Sequence, residues 1–308
     1  MEKDYCEKLN KQKALDFAIR DKECHHESEY GFTIKDKENP YNNYLSNDAW
    51  KKFLEKMSER HRAHYNDADG GELKEKKGRY GWNPPKMASF GSSSRFVYLK
   101  SKDIPDFIFE KQLPTRVGHT ANVDGYLQRG DCDIFVEAKC REIYASHKTQ
   151  KIGVVYKEVY EKIHEIKNEF AFSSNDLEND KEHFECEFLY NETTLLHFDV
   201  KQLICHFLGI AANILEYKNV NTNVKFVYLI FNPEKDTDFT NNKLAYYQED
   251  IKKDYKATIN EIKLFGDMKW LFDAVMQYQV KQLKSPEMKY TFNFELASQE
   301  DYLKKIKE

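Results

Sequence analysis

The chain has 308 residues, of which 32% are charged and 14% aromatic, and its net charge is −4. The 20 Tyr and 21 Phe exclude a disordered or low-complexity chain, because they can bury a substantial core. Six scattered cysteines without a C-x-x-C pair predict reduced thiols and argue against a disulfide framework or a zinc site. No apolar run reaches the length of a membrane span or forms a signal-peptide core, so the sequence predicts a cytoplasmic protein with no membrane partner.

Charge is distributed unevenly along the chain. Residues 74–116 hold ten basic and four acidic side chains, whereas residues 155–190 hold ten acidic and four basic ones. A chain polarised in this way can present one positive face to phosphate groups although it is acidic overall. Two solvated faces of opposite sign also explain the pattern, and charge alone favours that simpler interpretation.

The first predicted element is a helix that starts at Asn47 or Asp48 and carries apolar residues at helical spacing from Trp50 to Met57. Residues 66–94 follow and predict a long irregular loop rich in Gly, Ser, Asn and Lys. Basic and aromatic residues alternate there, which suits phosphate contacts and base stacking, and an ordinary ordered loop is equally compatible. The candidate nucleic-acid-binding residues of this region are Lys76, Lys77, Arg79, Lys86 and Arg95.

Short extended segments come next, followed by a helix and a buried strand. The predicted strands cover 107–113, 122–127 and 133–140; a helix with Asp199 as N-cap covers 200–215; a wholly apolar strand covers 225–231. Further helices are predicted around 244–255 and 270–283, and an alternating strand over 288–296. This order predicts a single α/β domain over 1–308 with a mixed sheet, a core of about 46–235, and a helix and strand extension of about 236–308.

The second and third strands form a predicted hairpin around Gly130-Asp131. A two-residue loop with Gly first is typical of a type II′ turn, since that position needs a positive φ. The resulting register places Gly125 opposite Val136 and Asp124 opposite Glu137; a four-residue loop over 129–132 would give the same register.

This register predicts a site for a divalent cation. Side chains alternate along a strand, so Glu137 and Lys139 should share the face of Asp124. The opposite face should be apolar and carry Val123, Leu127, Ile134, Val136 and Ala138. Two carboxylates about 5 Å apart repel each other unless a proton or cation lies between them. Mg²⁺ or Mn²⁺ with oxygen ligands would resolve the conflict, and Lys139 could then orient an attacking water. The acid-x-Lys triplet alone occurs eleven times, so the hairpin context carries the prediction.

Asp124 and the triplet Glu137-Ala138-Lys139 resemble the motif of the PD-(D/E)xK nuclease superfamily, the restriction-endonuclease-like fold, and in particular bacterial proteins described as restriction endonucleases. Val123 stands where the literal motif has proline. The resemblance covers roughly 107–233 and implies a core of helix, three-strand antiparallel meander, helix and parallel strand. It also implies that Asp124, Glu137 and the carbonyl of Ala138 bind the metal and that Lys139 activates water.

Several other residues are candidates for the same site. The resemblance implies an acidic residue from the first helix, for which Glu55 and Glu59 are equal candidates. Gln202 could reach the site, or its side chain could complete a capping box with Asp199. Two further candidates have simpler explanations that are favoured: an ordinary strand position for Glu110 and a solvated loop position for His119.

The sequence therefore predicts a Mg²⁺- or Mn²⁺-dependent nuclease that cleaves phosphodiester bonds, with DNA favoured over RNA and a restriction-type endonuclease favoured. A homodimer would be a candidate partner arrangement, because cutting both strands of a symmetric sequence often requires one. Two alternatives stay open: a nucleic-acid-binding module with a vestigial site, and a structural or partner-binding protein in which Lys139 only pairs the two acids.

Overall fold

A computed structural model describes residues 45–307 except 46, 69–70, 79–80, 84, 90, 141–148, 178–179, 218–221 and 233–247. Its centre is a mixed sheet of five strands, in which an antiparallel meander is extended by two parallel strands. The strands are β3 (Ile108–Pro114), β4 (Thr120–Arg129), β5 (Cys132–Lys139), β10 (Thr222–Ile230) and β11 (Tyr290–Ala297), in the spatial order β11-β10-β5-β4-β3. The predicted α/β class with a mixed sheet is confirmed.

Helices cover both faces of this sheet and divide its core in two. The first face packs against the long apolar helix Val200–Tyr217 and the helices Lys157–Ile166 and Lys269–Leu283. The second face packs against the N-terminal helices and the short C-terminal helix. The helices are α1 (Asn47–Lys56), α2 (Glu59–Asp67), α3 (Ser93–Ser101), α4 (Lys157–Ile166), α5 (Val200–Tyr217), α6 (Gln248–Leu264), α7 (Lys269–Leu283) and α8 (Tyr302–Lys307). The predicted helices at 200–215 and 270–283 are confirmed as α5 and α7.

Helix α5 lies unusually close to the sheet because it carries a glycine at the contact. A Cβ placed on Gly209 would lie only 2.6 Å from Cβ of Leu113 and 2.8 Å from its carbonyl oxygen. At the start of the helix, the side chain of Asp199 accepts a hydrogen bond from the backbone N–H of Gln202 over 3.0 Å, as the predicted N-cap requires. The helix is therefore fixed both along its axis and against strand β3.

A second sheet separates the hairpin from α5 along the chain, and the sequence analysis did not predict it. It contains β6 (Gln150–Gly153), β7 (Phe170–Leu177), β8 (Asp180–Tyr190) and the short β9 (Thr193–Thr194). In the sequence, the high acidic charge of this region makes the alternation of its apolar residues easy to miss. Strand β8 nevertheless buries every second residue from Phe184 to Tyr190, which is the period of a strand with one solvent-exposed face.

Two other regions differ in detail from the prediction. The region expected to be one long loop, 66–94, contains the strand pair β1 (Lys76–Gly78) and β2 (Gly81–Asn83), and α3 begins at its end. The predicted extension contributes β11, which pairs in parallel with β10 and so belongs to the central sheet. Among the described residues, no helix is both long enough and apolar enough to cross a membrane.

Candidate active site

The predicted hairpin is confirmed, and its register is confirmed as far as the pair of Gly125 with Val136; Asp124 and Glu137, predicted to be opposite each other, are not paired in the ladder. Arg129 pairs with Cys132 and Gly125 with Val136, so the loop consists of Gly130 and Asp131 alone. Gly130 has a φ of +58°, and no atom lies within 4 Å of the place where a Cβ would stand. The turn thus selects glycine for its backbone conformation rather than for space.

The regular strand pairing stops at Asp124, and here the structure departs from the predicted alternation. The β4–β5 ladder ends at the pair of Gly125 with Val136, and the β3–β4 ladder skips Glu110, whose φ is +51°. Leu127 packs in the core of the second face, whereas Val123 packs in the core of the first face. The prediction that Val123 shares one apolar face with Leu127 is therefore wrong. Strands β3 and β4 both turn over at the level of Glu110 and Asp124, so residues on either side of this level face opposite sides of the sheet.

Asp124 sits where the strands diverge and contacts the backbone of β5. Its Oδ2 accepts a hydrogen bond from the backbone N–H of Ala138 over 2.7 Å. Its Oδ1 lies 3.5 Å from Oγ of Ser94, and the same hydroxyl donates a short hydrogen bond of 2.5 Å to Oε1 of Glu110. Ser94 of α3 therefore brings Glu110 beside Asp124, and neither carboxyl group forms an ion pair within the described part of the chain.

Glu137 and Lys139 form a separate, charge-balanced group. Lys139 Nζ donates a hydrogen bond to Oε1 of Glu137 over 2.7 Å and a second one to Oε1 of Gln202. The second oxygen of Glu137 lies 3.1 Å from Nε2 of His206, one turn beyond Gln202 on α5. Sequence reasoning missed His206, although its spacing from Gln202 was a usable signal because residues four apart share a helix face.

The two groups of acids differ in their ionisation. Burial, with Glu137 and Glu110 as further causes, raises the pKa of Asp124 well above its usual range. Burial also raises the pKa of Glu110 to about 8, although the hydrogen bond from Ser94 opposes the change. Burial alone would raise the pKa of Glu137 as well, but the adjacent Lys139 and His206 lower it to about 2. Asp124 and Glu110 are thus the acids whose ionised forms lack a counter-charge, and without a cation beside them they favour their neutral forms.

The structure assembles five of the predicted site residues. Glu110, Asp124, Glu137 and Lys139 are exposed by only 8%, 7%, 3% and 6%, and Gln202 is half-buried beside them. Gln202 resolves the predicted choice in part: its backbone N–H completes the cap, while its side chain turns to Lys139. Ala138, whose carbonyl is a predicted metal ligand, is fully buried, and its backbone N–H donates to Asp124.

The other candidates lie elsewhere or have other contacts. Glu55 and Glu59 are exposed on α1 and α2, and His119 is exposed in the loop before β4, where its backbone N–H bonds the hydroxyl of Tyr156. Arg95 is only 2% exposed and lies 5.8 Å from the ring centre of Phe53, so it is not on a surface that nucleic acid could reach.

The remaining basic candidates belong to the β1–β2 region. Lys86 is exposed and pairs with Glu72 over 3.2 Å. Lys76 and Lys77 lie on β1, but the structure describes only the backbone of that strand. Arg79 lies outside the described residues. Glu72, itself 7% exposed, is one of the acids that raise the pKa of Glu110, so the basic loop starts next to the acidic site.

The donor set suits a hard cation but is not grouped around one position. The two carboxyl groups without an ion pair, those of Asp124 and Glu110, offer oxygen ligands, which Mg²⁺ and Mn²⁺ prefer. Throughout the residues that the structure covers, no three His, Cys, Asp or Glu side chains converge as a ready metal cluster. A metal here would draw on Asp124 together with Glu137 or Glu110.

Comparison of the chain with protein-family models, with curated proteins and with solved structures finds no match. The site therefore has to be interpreted from its own geometry.

Proposed function

We propose that this chain is a Mg²⁺- or Mn²⁺-dependent nuclease that hydrolyses phosphodiester bonds of DNA, with a restriction-endonuclease-like core and a cytoplasmic location. One observation carries the proposal: the hairpin places Asp124 against the backbone of the Glu137-Ala138-Lys139 segment, at the point where β4 and β5 diverge. The three residue types of the resemblance are thereby brought to one end of the sheet, together with Glu110 and Gln202.

The fit of a metal rests on two buried carboxyl groups whose ionised forms have no counter-charge among the described residues. Asp124 and Glu110 are buried side by side through Ser94, and a divalent cation is the natural counter-charge for such a pair. Asp124 with Glu137 or Glu110, and the carbonyl of Ala138, would hold it. When bound, the metal would polarise the scissile phosphate and lower the pKa of a coordinated water.

Lys139 would supply the remaining electrostatic function. Its ammonium is held between Glu137 and Gln202, so its position is set by two elements rather than by a flexible side chain alone. From this place it can orient a water for attack and stabilise negative charge that develops on the phosphate. Gln202 would keep the ammonium in place if Glu137 turned to a metal.

The substrate would approach past the β1–β2 region. Lys86 is exposed there and forms an ion pair with Glu72, a carboxylate close enough to raise the pKa of Glu110. Glu110, Asp124, Glu137 and Lys139 are each exposed by less than a tenth, so a phosphodiester group would reach them only if the residues around them moved apart. We therefore expect binding of DNA to require movement of the segment around Lys86.

The test uses the purified full chain with plasmid and linear DNA, in Mg²⁺, in Mn²⁺ and in EDTA. We expect metal-dependent cleavage that is lost in Asp124→Asn, since Asn keeps the shape and the acceptor for Ala138 but removes the charge. Glu59→Gln is the matched control, because Glu59 is exposed on α2, and it should cleave like wild type. Equal cleavage by Asp124→Asn would overturn the assignment.

A second candidate function is favoured by the burial of the site and by the completeness of the Lys139 contacts. Lys139, Glu137 and Gln202 already satisfy each other without a metal, as they would in a structural or partner-binding protein. This function predicts no cleavage and no rise in melting temperature when Mn²⁺ is added. A vestigial nuclease that still binds DNA would instead show salt-sensitive binding without turnover.

A further inference from the structure

His206 is a buried polar residue that the proposed mechanism does not use. It lies on α5, is 2% exposed, and points Nε2 at Oε2 of Glu137 over 3.1 Å. Its ring also lies 6.3 Å from the ring of Phe226, so one side of the imidazole is packed against the apolar core of the first face.

Neither ring nitrogen of His206 makes a hydrogen bond of good geometry with a described residue. Nε2 lies 3.1 Å from Oε2 of Glu137 but is poorly aligned with it, and a small rotation of the ring would convert this contact into a hydrogen bond. Burying a polar group in this way costs free energy, about 1–3 kcal/mol for an unsatisfied group. Contacts at active sites are often poorly aligned in the free protein and tighten when the ligand binds.

The two oxygens of Glu137 are held from two different elements. Oε1 contacts Lys139, which neighbours Glu137 on the same strand, whereas Oε2 contacts His206 on the helix that crosses the sheet. The same helix reaches Lys139 through Gln202. If Lys139 moved to a water or a phosphate, His206 would be the group that still fixed the carboxylate.

We propose that His206 is a positioning residue: it holds Oε2 of Glu137 and so directs Oε1 towards the metal and Lys139. This inference rests on the proposed function. Groups that orient metal-binding side chains typically change metal affinity by 10- to 100-fold when they are removed.

The experiment measures the Kd for Mn²⁺ by calorimetry on the full chain, with DNA cleavage and the metal-free melting temperature measured in parallel. The variants are His206→Leu, which removes both nitrogens, and His206→Gln, which keeps a donor near the position of Nε2. We expect His206→Leu to weaken Mn²⁺ binding by 10-fold or more, and His206→Gln to stay within a few-fold of wild type. His164→Leu is the matched control, because His164 contacts the carbonyl of Phe170 on the second sheet and should leave the Kd unchanged.

The outcomes separate the two proposals. An unchanged Kd in His206→Leu, with only the melting temperature altered, would show a structural role and overturn the inference while leaving the nuclease intact. If His206→Leu does not fold, His206→Asn takes its place, because its shorter side chain cannot reach Glu137; equal Kd values for the Asn and Gln variants would then overturn the inference. Wild-type protein that binds no Mn²⁺ would remove the proposed function itself, and the inference with it.

Discussion

The backbone N–H of Ala138 donates to Oδ2 of Asp124 over 2.7 Å, in place of the strand-to-strand bond expected at this level of the hairpin. A side chain has thus replaced a backbone acceptor where β4 and β5 separate. The carboxyl group of Asp124 is held in the gap between the two strands, and its removal affects the hairpin as well as the chemistry.

The first prediction contrasts the two carboxylates of the motif. Glu137→Ala leaves the ammonium of Lys139 buried without its counter-charge and Nε2 of His206 without the nearby carboxylate oxygen, so we expect a loss of stability of about 3–5 kcal/mol. Asp124→Asn removes a carboxyl that has no ion pair and should unfold at the same or a higher urea concentration than wild type. Urea unfolding in EDTA tests this contrast. Equal losses of stability in the two variants would contradict the division of the site into a balanced and an unbalanced half.

The second prediction concerns Glu110 and pH. Its pKa is raised by folding from an ordinary 4.5 to about 8, so its neutral form is favoured in the folded state. The stability associated with this group is present below pH 4.5 and is lost as the pH rises towards 8. Gln does not titrate, so Glu110→Gln should stabilise the metal-free protein by roughly 3 kcal/mol at pH 7, and by little at pH 4.5.

Unfolding of Glu110→Gln and wild type in EDTA, at pH 5, 7 and 8, measures this difference. Glu55→Gln serves as the control, because Glu55 is exposed on α1 and its replacement should have a small effect at every pH. A stabilisation by Glu110→Gln that is independent of pH would show that Glu110 is charged in the folded protein.

The third prediction concerns Gly125, which precedes the break in the ladder. A Cβ at this position would lie 2.3 Å from Cζ of Phe107 and 2.6 Å from its Cε1, so the ring would have to move. We expect Gly125→Ala to cost about 1–3 kcal/mol and to reduce metal-dependent cleavage, because Asp124 is the next residue. Gly130→Ala is the comparison: it strains the turn by about 1–2 kcal/mol but should cleave normally. Cleavage reduced equally in both variants would mean that general loss of stability explains the effect.

The fourth prediction concerns the segment that leads into α5. The carboxylate of Glu261 accepts backbone N–H groups from Leu196, His197 and Phe198 over 3.0, 2.8 and 2.8 Å. Glu261→Ala would leave these three donors to water, and we expect a loss of about 1.5–3 kcal/mol. Glu249→Ala on the same helix removes only a surface pair with Lys252 and should change stability by less than about 1 kcal/mol. Chemical unfolding of the two variants side by side gives the comparison.

Local signals predicted the hairpin and the elements around it. The Gly130-Asp131 turn has a sequence signature, and its register follows from counting, so Gly125 was correctly placed opposite Val136. The apolar stripe of α5 and the apolar run of β10 were equally direct signals. In each case the decisive information lay within about twenty residues of sequence.

The parts of the site that could not be predicted depend on contacts between distant segments. The positive φ of Glu110 turns its strand over, and a non-glycine residue gives no sign of this in the sequence. Ser94 meets Glu110 only because α3 packs across the meander. His206 lies within the apolar stripe of α5, so the hydrophobic periodicity of this helix predicts a core position for it and not a contact with Glu137.

The second sheet has a consequence for how the site comes together in time. The hairpin closes a two-residue loop, whereas β5 meets β10, and Lys139 meets Gln202, only after the whole of β6–β9 has been accommodated between them. Long-range closure is slow and costs more entropy than local pairing. On a ribosome the acids of the hairpin would therefore emerge well before the helix that orients them. The nascent chain would carry the acidic residues without Gln202 and His206 until the helix α5 had been made.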